Sequence, residues 1–249
     1  MEETTIRECI TIEEFDGCVA LQREAFGLPD LELSPRRHLI VSRQAGGWTL
    51  GAFVADRMVG FVHHLAAVRG DEVFGYSHMM AVAKDYQNKG VGVRLKWAQR
   101  ERAMKEGRKV IKWTWDPMMA RNAHFNLNRL GAVVHTYAAN YYGTDYHTDA
   151  SLTEKVGLPS DRLVATWYLD SERVSSLGYG GTWPVELKPV MSVAIPAEWI
   201  ALVKQDPKRA RDEQVRVRDE FKRAFEQRLI CAGFERGEKE SRYLLFEPH

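Results

Sequence analysis

The spacing of apolar positions changes several times along this chain, and each change marks an element. Residues 6–10, Ile-Arg-Glu-Cys-Ile, read as a short strand. Thr11 follows as an N-cap, with Glu13 and Glu14 in the first turn, where negative charge is favoured. Phe15, Val19 and Phe26 form a helical stripe that Gln22 interrupts, and Gly27 and Pro29 close it. Ser34-Pro35 opens a second helical stretch to Arg43, stopped by Gly46-Gly47. Two strand-like runs, 48–55 and 58–65, meet around Asp56-Arg57 as a hairpin, and 73–82 is a third antiparallel candidate.

Beyond residue 90 the pattern becomes strand–helix–strand. A helix at 93–106 ends at Gly107, a strand covers 110–115, and Asp116-Pro117 turns the chain. Residues 120–130 read as a helix capped by Gly131, with strands following near 132–141 and 163–170. Hairpins followed by such alternation predict a mixed α/β sheet. Residues 171–191, with Gly178, Gly180, Gly181, Pro184 and Pro189, have loop composition. A strand at 192–195 follows. Asp206-Pro207 then begins a long helix on which Val217, Phe221, Phe225 and Leu229 recur every four residues. Gly233 is expected to end that helix, and 243–246 is the last strand. The division expected is a main domain at 1–170 and a small α+β extension at 171–249.

Composition narrows the function classes. With 249 residues, 45% hydrophobic and 28% charged, the chain has the make-up of a soluble globular protein. A net charge of +1 gives no whole-molecule field toward nucleic acid or an anionic membrane. The arginines of the long helix are interleaved with Asp212, Glu213, Asp219 and Glu220, as on a solvated face. No apolar stretch is long enough to span a bilayer. The opening Met-Glu-Glu-Thr-Thr does not read as a signal peptide. Cys9, Cys18 and Cys231 form no C-x-x-C pair, which fits a reducing cytoplasm. His63 and His64 are adjacent on a strand and point to opposite faces. No metal-ligand motif is present, so no metal is expected.

The most informative segment joins the strand at 73–82 to the helix after it: Gln87-Asn88-Lys89-Gly90-Val91-Gly92. Unpartnered N–H groups at a helix start, together with glycines that let a ligand approach, make a seat for phosphate. Leu95 stands where a dinucleotide fingerprint needs its third glycine, and Val93-Arg94 replace the Lys-Ser/Thr of a Walker loop. What remains, Gln/Arg-x-x-Gly-x-Gly/Ala after a strand, resembles the pyrophosphate loop of the GNAT superfamily of acyl-CoA-dependent N-acyltransferases. The helix Arg121-Asn122-Ala123-His124-Phe125-Asn126-Leu127-Asn128-Arg129-Leu130-Gly131 resembles that superfamily's second signature, in the expected order and about thirty residues downstream.

The resemblance covers about residues 5–170. It implies a GNAT-like fold and an acetyl-CoA or other acyl-CoA co-substrate. The implied contacts are the backbone at Met80, Ala81 and Val82, the loop Gln87, Asn88, Lys89, Gly90, Val91, Gly92 and Val93, and Asn122 and Phe125 beside two splayed parallel strands. Where many members carry an acidic tyrosine, this chain has Leu127. Tyr141, Tyr142 and Tyr146 lie just downstream, and Tyr142 is taken as the acid. For the base, strand alternation groups Tyr76, His78 and Met80 on one face, and His78 has the pKa suited to neutral pH. The expected activity is transfer of an acetyl, succinyl or similar acyl group to the amine of a small molecule. A subgroup with this Ser-His-Met strand, Asp-Pro turn and C-terminal extension resembles proteins linked to N-acylation of amino acids. For an amino-acid carboxylate, Arg36, Arg37 and Arg121 are candidate cations. The long helix's apolar face is expected to pack on the main domain or on a second subunit of a homodimer. The alternative is a non-catalytic acyl-CoA-binding regulatory module.

Overall fold

The computed structural model describes residues 3–27, 30–144, 157–183 and 188–248, so Pro29, Tyr146 and Pro184 lie outside the described residues. The chain divides into two compact units, Met1–Lys112 and Trp113–His249. Among the described residues there are seven α-helices and ten strands.

The first unit begins with β1 (Thr4–Glu8) and α1 (Ile12–Phe26). Thr11 caps α1 in a full capping box: its side chain accepts from Glu14 N–H, and Glu14 reaches back to the cap backbone. Next come α2 (Arg36–Gln44), β2 (Trp48–Val54), β3 (Arg57–Arg69), β4 (Glu72–Val82) and α3 (Val91–Lys105). Strands β1 to β4 are antiparallel neighbours in chain order. The start of β5 (Val110–Trp115) pairs parallel to β4, Gly75 with Ile111 and Tyr76 with Lys112, which makes the sheet mixed. Phe15, Cys18 and Leu21 of α1 and Leu39 of α2 pack with Phe53, Phe61 and Ala81 as a buried core on one side of these strands.

The second unit contains α4 (Ala120–His124), β6 (Val133–Ala138), β7 (Arg162–Tyr168), α5 (Glu172–Leu177), β8 (Met191–Pro196), α6 (Trp199–Gln205), α7 (Pro207–Glu226), β9 (Ile230–Glu235) and β10 (Glu240–Phe246). Its strands run β7-β6-β9-β10-β8, antiparallel where paired. Asp206 caps α7, with Pro207 at the first helical position, as the sequence indicates. Val217 and Phe221 are buried.

Several expectations need correction. The glycine-rich stretch after residue 170 is not all loop: Ser171 caps α5, which buries Val174 and Leu177. Gly233 does not end the long helix. The chain leaves α7 through Arg228 at φ 63°, and Gly233 lies inside β9, where its missing side chain makes room for Leu244. The four-residue apolar period ran on into a strand whose own alternation begins at Ile230. The helix expected over 120–130 changes to a π-turn at Phe125–Arg129, a form that concentrates at functional sites.

Asp161 is the buried junction of the second unit. It accepts from Arg218 of α7 at 2.8 and 3.0 Å, from the Tyr137 hydroxyl at 2.6 Å and from the Asn140 N–H at 2.9 Å. Its side chain is wholly buried. Asp161→Ala strands a cation and a hydroxyl, and should cost about 3–5 kcal/mol in urea unfolding. A loss below about 1 kcal/mol would show that the junction carries no such weight.

Candidate active site

The N-terminus of α3 is open. Gly90 takes φ 82° as its N-cap, a left-handed conformation that glycine adopts without strain. The first intrahelical bond is Arg94 N–H to the Gly90 carbonyl, 3.1 Å. The N–H groups of Val91, Gly92 and Val93 therefore have no partner within the helix, no side chain caps them, and the first turn holds no carboxylate. Asn88 is also left-handed, at φ 62°. At Gly92 a Cβ would meet Met80 Cε at 3.5 Å and Val82 Cγ2 at 3.8 Å, ordinary contacts. The fold tolerates alanine at this position, so its own packing does not require glycine there. This is the seat for an anionic group that the loop pattern predicts. Gln87 is turned back, its amide donating to the Val82 carbonyl at 3.1 Å, and so ties the loop to β4. Lys89 lies over the Tyr86 ring at 5.0 Å.

Upstream on β4 the strand is irregular. His63 pairs with Met79 but His64 pairs with Ser77, which leaves His78 as the extra residue of a β-bulge. The expected shared face of Tyr76, His78 and Met80 is therefore corrected. His78 faces α2, whereas Met80 lies beside Gly92 at the start of α3. The bulge breaks the alternation between them.

His78 Nε2 is 3.0 Å from Ser34 Oγ, and its ring makes edge contacts with His38 at 5.6 Å and His63 at 6.1 Å between centroids. Burial, and then the nearby His38, hold its pKa below the usual histidine value. His63 is fully buried between Ser42 (3.1 Å) and Thr49 (2.8 Å). Ser42 spends its own hydrogen on the Leu39 carbonyl, so His63 donates through Nε2 and accepts from Thr49 at Nδ1. Burial, with His78 and His38 adding to it, pushes His63 down to about 3.

On the other side of the strands, Lys96 of α3 is buried, donating to Gln99 at 2.6 Å and Ser77 at 3.1 Å. Desolvation lowers it to about 7. Gln99 contacts His64 Nδ1 at 3.3 Å, and His64 stacks on Trp48 at 4.1 Å. His64 Nε2 has no hydrogen-bond partner among the described residues, and burial together with Arg108 and Lys96 lowers this histidine to about 3. His63 and His64 thus lie on opposite faces. Both polar networks escaped the sequence reading. Gln22, the break in the α1 stripe, was the signal that pointed to the first.

The remaining site residues belong to the second unit. Asn122 is exposed and Phe125 half-buried, while Leu127 is fully buried in the core. Tyr142 is exposed, its hydroxyl 3.2 Å from Thr114 Oγ1, and Arg162 lies over its ring at 5.1 Å. Tyr142 N–H donates to Ser160 Oγ at 2.8 Å. Of the proposed carboxylate-binding cations, Arg36 already holds Asp16 through bonds of 2.8 and 2.9 Å. A cavity of about 580 Å³ in this unit, lined by Val190, Met191, Arg228 and Leu229, contains none of the predicted site residues.

Residues 15–131 match the family model described as acetyltransferase (GNAT) family. This span holds both the glycine loop and the Asn122 helix. By this match, residues 15–131 form a GNAT-family acetyltransferase domain. No curated protein matches it by sequence. Among solved structures, the fold is similar to the ribosomal-protein-S18-alanine N-acetyltransferase of Escherichia coli. The two are 15% identical, with 75% of this chain and 99% of that one covered at a TM-score of 0.53. A GNAT acetyltransferase of Elizabethkingia anophelis with acetyl-CoA bound is 16% identical, with 68% and 99% covered and a TM-score of 0.50. At these identities the neighbours establish the GNAT fold, and with the family match they support acyl-CoA-dependent acetyl transfer. Among the described residues, no helix is long and apolar enough to cross a membrane and no group of side chains could hold a metal ion.

The histidine environments carry a pH dependence. His63 and His64 have folded-state values near 3, below the ordinary 6.5, so the unfolded chain binds their protons first. Their contribution to stability is complete above pH about 6.5 and falls as pH drops toward about 3. Imidazole NMR titration should find both rings neutral at pH 5 while the urea midpoint declines from pH 7 to pH 4. Protonation of either ring above pH 5 in the folded chain would contradict this.

Proposed function

We propose that this protein is an N-acyltransferase that moves an acetyl, succinyl or similar acyl group from acyl-CoA to the amine of a small molecule, with an amino acid as the acceptor class. The carrying observation is the uncapped, glycine-lined start of α3 beside the strand that holds a bulged histidine whose pKa burial lowers. In this reading the CoA pyrophosphate lies on the N–H groups from Asn88 to Val93, with Gln87 and Lys89 shaping the loop. The backbone of Met80, Ala81 and Val82 holds the pantetheine, and Asn122 and Phe125 contribute from α4 and the π-turn.

Acyl-CoA supplies the thioester carbonyl. An alkylammonium with pKa about 10.4 is almost wholly protonated at pH 7, so His78 acts as general base and makes the nitrogen nucleophilic, an effect worth about 10²–10⁴-fold. A backbone N–H near Met80–Val82 polarises the carbonyl. Tyr142 donates a proton to the departing thiolate, in place of the tyrosine that Leu127 replaces. Residues 171–249 form an extension to a catalytic region at 1–170. In support, the family match ends at 131, and the solved structures matched at a TM-score of 0.50 or more cover 66–75% of the chain. The three buried free cysteines fit a reducing cytoplasm, and the apolar face of α7 is buried within the chain, with Phe221 against Tyr137 and Tyr243, which supports packing on the main domain over a homodimer.

Free-thiol release from acetyl-CoA and succinyl-CoA across a panel of amines tests the activity. Release with at least one amino acid supports the proposal. Tight CoA binding without release from either donor favours the non-catalytic module instead. Replacing Gly90 and Gly92 together by bulky residues should block the backbone approach and weaken CoA binding at least about tenfold by calorimetry. Unchanged CoA affinity in that variant would move the pyrophosphate elsewhere.

His78→Ala should lower turnover by about 10²-fold or more with CoA affinity kept. In the wild type, kcat/KM should rise with pH through an inflection below 6.5, because the depressed pKa leaves His78 neutral from mildly acidic pH upward. A variant that only loses stability, with turnover per folded molecule preserved, would make His78 a core residue.

A further inference from the structure

Gln22 sits on the buried side of α1, where an apolar side chain would complete the stripe, and is fully buried. An amide there is costly unless both its ends are bonded. Both are: Nε2 donates to the Ser34 carbonyl at 3.1 Å, and Oε1 accepts from the Ser34 N–H at 2.8 Å. This two-point clasp fixes the backbone of Ser34 just ahead of Pro35, the N-cap of α2. Ser34 Oγ is thereby held 3.0 Å from His78 Nε2.

We propose that Ser34, clasped by Gln22, is a positioning residue that sets the orientation and tautomer of His78 for proton abstraction, a role that rests on His78 being the general base. A base needs one ring nitrogen without hydrogen. With Ser34 Oγ accepting from Nε2–H, the lone pair of Nδ1 is left for the amine. The amine's proton passes to Nδ1 as its nitrogen bonds the acyl carbon and the carbonyl π pair moves onto oxygen; that pair then returns, the C–S bond breaks and CoA leaves as the thiolate, while Nε2–H continues to donate to Ser34. The Ser34 bond strengthens when the ring becomes charged. The titratable groups facing His78 among the described residues are His38 from α2 and His63 from β3. Burial, and then His38, disfavour the imidazolium.

The test uses the full chain and two readouts. Ring ¹⁵N shifts of His78 report its tautomer and pKa without substrate, and thiol release from acetyl-CoA or succinyl-CoA with an amino acid reports turnover. The expected wild-type tautomer is Nε2–H. Ser34→Ala should mix the tautomers, shift the His78 titration and the kcat/KM inflection down by about one pH unit, and lower kcat about tenfold. CoA affinity should not change. Ser34→Thr should restore all three quantities, and Gln22→Met should reproduce the loss in part. An Nδ1–H tautomer in the wild type, or Ser34→Ala with unchanged ring shifts, overturns the positioning role. If His78→Ala retains wild-type release, the base reading and this role fall together. If His78→Ala abolishes release while Ser34→Ala leaves the profile unmoved, only the role of Ser34 falls.

Discussion

The first turn of α3 imposes the constraint on which the rest of the site depends. Three N–H groups point out of the helix with no partner inside it, at the positive end of its dipole. Most helices answer this with a capping hydroxyl or carboxylate, as α1 does with Thr11 and Glu14. Here Gly90 supplies a left-handed turn and no cap, and Gly92 leaves open a space that a methyl group would fill. A helix start left in this state favours an anion from outside the chain. The end of β4 lies against that turn, with Met80 and Val82 beside Gly92, so a chain attached to an anion bound there can run along β4.

The bulge at His78 is the second device. A regular strand would place His78 and Met80 on one face. The extra residue instead turns His78 toward α2 and leaves Met80 beside the glycine loop. Two functions that a regular strand would crowd together are thereby separated. The surroundings of His78 also differ from those of its neighbours. His63 and His64 are buried deeply enough to be neutral at any physiological pH, whereas His78, also lowered by burial, sits on the bulge beside Ser34.

Much of this was legible in the sequence because the signals are local. The glycine loop, the capping residues Thr11 and Asp206, and the hairpin at Asp56-Arg57 each depend on a few consecutive residues, and the structure follows them. The bulge was not legible, since it arises from the register between β3 and β4 and no residue type announces it. Strand β9 was hidden because Leu229 continued the helical spacing past the point where Arg228 turns the chain. The Lys96–Gln99–His64 network joins residues far apart in the chain, so no window of sequence contains it. Gln22 was visible as an interruption, but its reason, the backbone of Ser34, lies twelve residues away.

The central claim is that the open start of α3 receives the pyrophosphate of an acyl-CoA. A crystal structure of the full chain soaked with CoA tests it most directly. The account predicts pyrophosphate oxygens within about 3.2 Å of the N–H groups of Val91, Gly92 and Val93, with the pantetheine running along β4 toward Met80. CoA bound in another place, with those three N–H groups facing only water, would contradict it.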